Sequence, residues 1–291
     1  MSQLSVIIPV FNESGSLTTL MPGIIQYCCE KSWNIIIVND GSNDGSREIL
    51  QQFATIDQVT ILNHKLNKGY GAALKTGLAM CDTEYAITFD ADGQHATNDI
   101  DRLFDMIVTR DADLVVGSRK GAKSGSWYRG IGKSLIRALA KVLMTVPIYD
   151  LNSGMKIYRT DLVKKYLNLV PDTMAFSDIM TLVFINNRHL VLEESISVQK
   201  RRHGKSAIGI ETAFQTIMEV IHIVILFNPM KIFLPLALLC IFVTGLWGVP
   251  LLIQGRGVSM GSLLGIITGI LLFLLGLIAE QLSLIRRNQD H

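Results

Sequence analysis

The sequence predicts an α/β protein: a doubly wound, mainly parallel sheet, then an amphipathic interface helix, then a two-helix transmembrane hairpin. Three observations predict it. Short apolar runs alternate with helical stretches from Leu4 to Val116, the rhythm of strand–helix–strand units joined by right-handed crossovers. The run from Tyr85 to Phe89 stops abruptly at Asp90 and Asp92, two carboxylates one residue apart. Two long apolar runs close the chain.

The elements follow in order. Strands are expected over 4–10, 35–39, 59–63, 85–89 and 114–116, separated by helices over 14–31, 44–55, 71–80 and 98–110. After Gly117 the alternation loosens. A basic, Gly-rich segment precedes a helix near 131–144, a short strand at 155–158, a helix near 177–187 and a strand at 191–198. This sheet domain occupies residues 1–207. Residues 208–229 carry Glu211, Gln215, Glu219 and His222 at helical spacing on an apolar ground, which reads as a helix lying along a membrane surface. An ordinary packed helix would show the same spacing.

The hairpin occupies 230–291, with spans over about 230–253 and 262–285. A 24-residue run is ~36 Å long as a helix, enough to cross a bilayer with some tilt. Between Ile232 and Ala279 the only formal charge is Arg256. Arg201, Arg202, Lys205 and Lys231 precede the first span, and Arg286 and Arg287 follow the second. The positive-inside rule therefore places both termini and the sheet domain in the cytoplasm, with the short join outside.

The length of 291 residues suits one or two domains. A net charge of only +2 gives a nucleic-acid partner no electrostatic support. No signal peptide is expected before Leu4, where the chain enters a strand directly. Cys28, Cys29, Cys81 and Cys240 lack zinc spacing and read as reduced and structural.

Open α/β sheets bind ligands at the carboxyl edge of their strands, and three expected strand ends carry acidic groups there. These are Pro9-Val10-Phe11-Asn12-Glu13, Asn39-Asp40-Gly41-Ser42 and Asp90-Ala91-Asp92-Gly93-Gln94. Asp90, Asp92 and the Gln94 amide oxygen suit a hard divalent cation, Mg²⁺ or Mn²⁺, that keeps positions open for phosphate oxygens. Asp40 and Glu13 are placed to hold a base and ribose. Taken singly, Asp-x-Asp is a polar turn, and Asp40-Gly41-Ser42 is a turn with a helix cap. His95 reads as a hydrogen-bonded loop histidine before it reads as a further ligand. No P-loop, zinc pattern, catalytic triad or activated cysteine is found.

The order of these motifs, with Asn67-Lys68-Gly69 between the second and third, resembles the family 2 glycosyltransferases of GT-A fold. Gly117-Ser118-Arg119, Ser153-Gly154 and Arg201-x-x-Gly204-x-Ser206, with the terminal hairpin, resemble the dolichyl/polyprenyl-phosphate mannose synthase branch. The resemblance implies a nucleotide-sugar donor (a GDP- or UDP-hexose, mannose or glucose foremost) and a polyprenyl phosphate acceptor. It implies that Pro9, Phe11, Glu13 and Asp40, with Asn67 and Gly69, form the nucleoside site. Asp90, Asp92 and Gln94 then hold the metal and donor diphosphate. Arg119, Arg129 and Arg201, with Ser134 and Ser206, hold phosphates of acceptor or donor. Asp178 falls where related transferases carry an acidic residue that positions the acceptor or sugar, so Asp92, Arg119 and Asp178 are the catalytic candidates.

A lipid phosphate is already an anionic nucleophile at neutral pH, so inverting transfer to it needs no strong general base. The competing readings are a processive polysaccharide synthase and a non-catalytic nucleotide-binding scaffold. Gln199-Lys200-Arg201-Arg202 does not match the Gln-x-x-Arg-Trp motif of the first. The residues leave oligomeric state open, a homo-oligomer included.

Overall fold

The computed structural model describes residues 2–90, 93, 95–119, 147–151, 153–197, 225, 228–255 and 257–289. Seven strands form one sheet in the order β3-β2-β1-β4-β6-β5-β7. They are β1 (Leu4–Val10), β2 (Asn34–Asn39), β3 (Val59–Asn63), β4 (Tyr85–Thr88), β5 (Leu114–Ser118), β6 (Lys156–Arg159) and β7 (Val191–Ser195). All neighbouring pairs are parallel except those of β6, which runs against both β4 and β5. The chain steps outward from β1 to β3, then returns to β4 on the other side of β1. That reversal of strand order opens a crevice at the carboxyl ends of β1 and β4, where doubly wound sheets take ligands.

Helices cover both faces, so the central strands are apolar almost throughout. On one face the alternate residues Leu4, Val6, Ile8 and Val10 of β1 share a core with Leu17, Met21 and Ile24 of α1 (Ser14–Glu30). Ile100, Leu103 and Ile107 of α4 (Asn98–Thr109) join that core, spaced so that one helical stripe meets the sheet. α2 (Ser46–Gln51) is shorter than the expected 44–55 helix and packs on α1. On the opposite face α3 (Tyr70–Met80) lies across β1 and β2. It lies close because Gly77 has no side chain: a Cβ there would collide with Ile7 and come 3.2 Å from a Val38 methyl.

α5 (Thr160–Lys165), unexpected from the sequence, and α6 (Phe176–Asn186) complete this unit. β5 extends two residues beyond the expected 114–116, to Ser118. The expected helix near 131–144 lies outside the described residues. So does the interface helix over 208–229, apart from 225, 228 and 229.

The second unit consists, among the described residues, of α7 (Met230–Ile253) and α8 (Met260–Gln289). Met230–Ile253 and Met260–Ile285 are long and apolar enough to cross a membrane. Phe242, Trp247 and Leu264 each stand 64% exposed, which a buried core hairpin would not allow. The two helices pack through small residues: a Cβ at Gly269 would come 2.9 Å from the Ala237 carbonyl, and one at Gly265 would strike Thr244.

The close approach of α3 to the sheet makes a test of the packing. Gly77→Val should lower stability by about 1–3 kcal/mol through overpacking against Ile7, read by denaturant titration of the buried Trp33 fluorescence.

Candidate active site

Two turns at the carboxyl edge are stitched together by the protein's own hydrogen bonds. The turn after β1 passes through Asn12 in a left-handed conformation (φ 53°), which asparagine tolerates. Its N–H donates to Ser42 Oγ at 3.0 Å, and its side-chain oxygen accepts from the Asn43 N–H at 2.8 Å. The Glu13 N–H donates to Ser46 Oγ, and the Ser14 N–H to Asp44 Oδ2. Burial works against the Asp44 charge, but hydrogen bonds from the Ser46 hydroxyl and Ser14 N–H outweigh it and hold the carboxyl at about 2. On this platform Phe11 is 43% exposed, Pro9 and Glu13 are half-buried, and Glu13 Oε2 accepts from Ser16 Oγ at 2.6 Å.

Asp40, at the end of β2, is 2% exposed. It does not cap α2, whose N-cap position is Gly45. Its Oδ1 accepts from the Lys68 N–H (2.9 Å) and meets His64 Nδ1 (2.6 Å), and its Oδ2 accepts from the Gly69 N–H (2.8 Å). The carboxylate thus organises the Asn67-Lys68-Gly69 turn that opens α3. Asn67 itself is exposed, and Gly69 adopts φ +103°, which suits glycine.

Asp90 follows β4 at the crevice. Tyr70 Oη donates to its Oδ1 at 2.9 Å, and His95 Nε2 lies 3.9 Å from its Oδ2. His95 packs edge-on against Phe89, and its buried Nδ1 has no hydrogen-bond partner among the described residues, unlike the expected loop histidine. Gly154 presses on the same carboxylate: a Cβ there would run into it. Thr88 Oγ1 donates to the Gly154 carbonyl, and Ser177 Oγ to the Ser153 carbonyl, so this approach is braced from two elements. The oxygen chemistry of Asp90 fits a hard cation, with its side chain 26% exposed. Asp92 and Gln94 lie outside the described residues, as do Arg129, Ser134, Arg201 and Ser206. Among the described residues no three His, Cys, Asp or Glu side chains form a metal-holding group.

Arg119, just past β5, makes a two-pronged ion pair with Asp150: Nε to Oδ2 at 2.7 Å and Nη2 to Oδ1 at 2.8 Å. The Arg119 backbone N–H donates to the same carboxylate, and Glu193 holds Asp150 by accepting its N–H and that of Tyr149. The hydrogen bonds it donates to Asp150 raise the guanidinium's pKa, burial opposes it, and the charges of Asp150, Asp178 and Asp90 add to the rise. Asp178, in the first turn of α6, and Asp90, after β4, therefore lie within electrostatic range of the same guanidinium. Asp113 instead faces Arg159 and His189.

Sequence reasoning missed Lys156. It is fully buried at the start of β6, paired in register with Thr88, and its Nζ donates to Leu151 O, Ser177 O and Thr181 Oγ1 at 2.6–2.7 Å. Burial pushes the ammonium down to about 8, against the pull of Asp178 and Asp150. The available signal was a single charge inside the apolar run Met155–Tyr158. Such a group ties the loop leading into β6 to the first turn of α6, which carries Asp178.

The family model for glycosyl transferase family 2 matches residues 5–167, and that for the GtrB C-terminal hairpin matches 228–285. An undecaprenyl-phosphate 4-deoxy-4-formamido-L-arabinose transferase of Aeromonas hydrophila is 28% identical over 71% of this chain and 63% of its own length. A dodecaprenyl-phosphate galacturonate synthase of Rhizobium johnstonii is 25% identical over 76% of this chain and 66% of its own. A polyprenol monophosphomannose synthase of Mycolicibacterium smegmatis is 29% identical over 69% of this chain and 79% of its own. This chain thus spans less than two thirds of the length of the first two. Among solved structures, glucosyl-3-phosphoglycerate synthase from Mycobacterium tuberculosis with UDP is similar in fold. Its TM-score is 0.59 at 16% identity, over 77% of this chain and 80% of that one.

The buried lysine sets a pH dependence. Between about 8 and 10.5 the unfolded chain holds the Lys156 proton more firmly than the folded one, so stability rises with pH across that window. The melting temperature of the wild type should gain on that of Lys156→Met from pH 8 to 10.5, as followed by thermal melts in detergent.

Proposed function

Because the chain belongs to glycosyl transferase family 2, we propose that it transfers a hexose, mannose or glucose foremost, from a GDP- or UDP-sugar to polyprenyl phosphate. Its domain over 1–207 works at the cytoplasmic face of a membrane that the hairpin anchors. The observation that carries this reading is Arg119 at the carboxyl edge: its guanidinium is held by Asp150 through two parallel bonds, within electrostatic range of Asp178 and Asp90. Relatives named as prenyl-phosphate sugar transferases, with a matching hairpin, support the lipid acceptor.

The chain's own groups suit a reaction that brings two anions together. The nucleoside lies against Pro9, Phe11, Glu13 and Asp40, over the turn of Asn67 and Gly69. Asp90, with Asp92 and Gln94, holds Mg²⁺ or Mn²⁺, which when bound supplies Lewis-acid stabilisation of the departing diphosphate. Arg119 offers its planar fork to the acceptor phosphate, with Arg129, Ser134, Arg201 and Ser206 as further phosphate partners. Asp150 orients that fork by engaging one of its edges. Asp178 positions the acceptor or sugar. The acceptor oxygen attacks the anomeric carbon from the face opposite the diphosphate, so the product is inverted.

The testing experiment incubates the protein with short polyprenyl phosphate, Mg²⁺ or Mn²⁺ and a panel of nucleotide sugars, including the arabinose and galacturonate donors. Turnover of one GDP- or UDP-hexose, lost in EDTA and in Asp92→Ala, supports the reading; no lipid-linked product with any donor overturns it. Arg119→Lys should lose one charge-assisted bond to the acceptor phosphate at ~1.5–3 kcal/mol, ten- to a hundredfold in kcat/KM for the lipid, with donor KM little changed. In right-side-out vesicles an external protease should leave tags on both termini uncut, and cleavage of either tag would reject the proposed topology.

A further inference from the structure

We propose that His64, backed by Thr76, is a specificity-positioning residue that sets the Asp40 carboxylate for the base of the donor nucleotide. This rests on the reading that a nucleoside lies at Asp40. The carboxylate has four lone-pair positions, and the protein fills three: the Lys68 N–H and His64 Nδ1 on Oδ1, the Gly69 N–H on Oδ2. One position on Oδ2 has no protein donor among the described residues. The Asp40 side chain is 3% exposed, so a further donor reaches it only through a narrow opening.

Such a position selects by chemistry. Uracil and guanine carry a ring N–H on the pairing edge and can donate into it. Cytosine and adenine place a lone pair on the corresponding ring nitrogen, which would face the carboxylate without a hydrogen between them. A buried polar group left unpaired by the wrong ligand discriminates far more sharply than an apolar wall.

Selection of this kind needs the carboxylate plane held still. Two of its three bonds come from consecutive N–H groups of one turn, at Lys68 and Gly69, and move with that turn. His64 comes from elsewhere. Its backbone N–H donates to the Asn39 carbonyl at 2.9 Å, which anchors it beside the end of β2. Its ring is 6% exposed, with Nε2 2.9 Å from Thr76 Oγ1 on α3. An ionised carboxylate only accepts, so Nδ1 carries the hydrogen toward Asp40. The Thr76 hydroxyl either donates to Nε2, or donates to the Ala72 carbonyl (3.0 Å) and accepts from Nε2. Both arrangements leave Nδ1–H on Asp40. The histidine therefore ties the carboxylate to the end of β2 through its own backbone and, through Thr76, to the body of the helix that the turn opens.

The experiment titrates the full-length protein in detergent with UDP, GDP, CDP and inorganic pyrophosphate by calorimetry, and records melting temperatures. His64→Leu should weaken the preferred nucleotide about tenfold, the scale of one charge-assisted hydrogen bond, and narrow its preference over CDP. Pyrophosphate binding should stay unchanged. His64→Asn, whose amide nitrogen can stand near the position of Nδ1, should restore most of the preference. If Asp40→Asn abolishes base preference while His64→Leu leaves it intact, His64 has no positioning role and the nucleoside reading survives. If neither variant alters base preference, the nucleoside reading of Asp40 fails and the proposal with it. A uniform loss for all four ligands with a lowered melting temperature, unrescued by asparagine, would make His64 structural only and overturn the proposal.

Discussion

Strand β6 lies between β4 and β5 and runs opposite to both, so the residues that lead into it stand at the edge where its neighbours end. In a wholly parallel sheet, Ser153 and Gly154 would lie at the far side of the molecule from Asp90. Here Gly154 touches the Asp90 carboxylate, and Asp150 reaches Arg119. The reversal also puts Lys156 in register with Thr88, directly beneath the crevice. The braces that set this loop, from Thr88 and Ser177, are hydrogen bonds to its carbonyl groups and need no particular side chain on the loop itself.

The charges at this edge are arranged by cost. A buried ammonium is tolerable only when its hydrogens are all used, and Lys156 spends them on two carbonyls and a hydroxyl. Arg119, partly exposed, takes a carboxylate as direct partner instead, and its fork suits two parallel bonds. Asp90 and Asp178 lie within electrostatic reach of Arg119. Asp40 belongs to a separate network, closed by backbone N–H groups and His64. Two differently built anionic centres on one sheet edge suit the two ends, base and diphosphate, of the donor we propose.

The two units obey opposite solvent rules. In the sheet unit the apolar side chains turn inward and the edge turns are polar. In the hairpin the helices meet through glycine and threonine, and leucine, phenylalanine and tryptophan face outward. In a membrane, where no water drives such helices together, close backbone approach and dispersion would hold the pair.

Much of this was legible in the residues, for reasons of local physics. Strands and helices declare themselves by periods of burial, so the positions of β1, β3, α3 and α4 came within a residue or two of expectation, and the hairpin helices were unmistakable by length. Strand ends bearing Asp40 and Asp90 were legible too, because a carboxylate cannot continue an apolar run. The partners of those groups were not. Arg119 meets Asp150 across 31 residues, Asp40 meets His64 across 24, and Lys156 meets Thr181 across 25. Which distant residues become neighbours depends on strand order and direction, and the antiparallel course of β6 leaves no trace in the periodicity of its short apolar run. The sequence by itself determined which residues are buried and where chemistry-bearing turns fall, since burial follows local pattern. Only the tertiary structure decided what each charge touches, since hydrogen-bond geometry is set by segments that meet after folding.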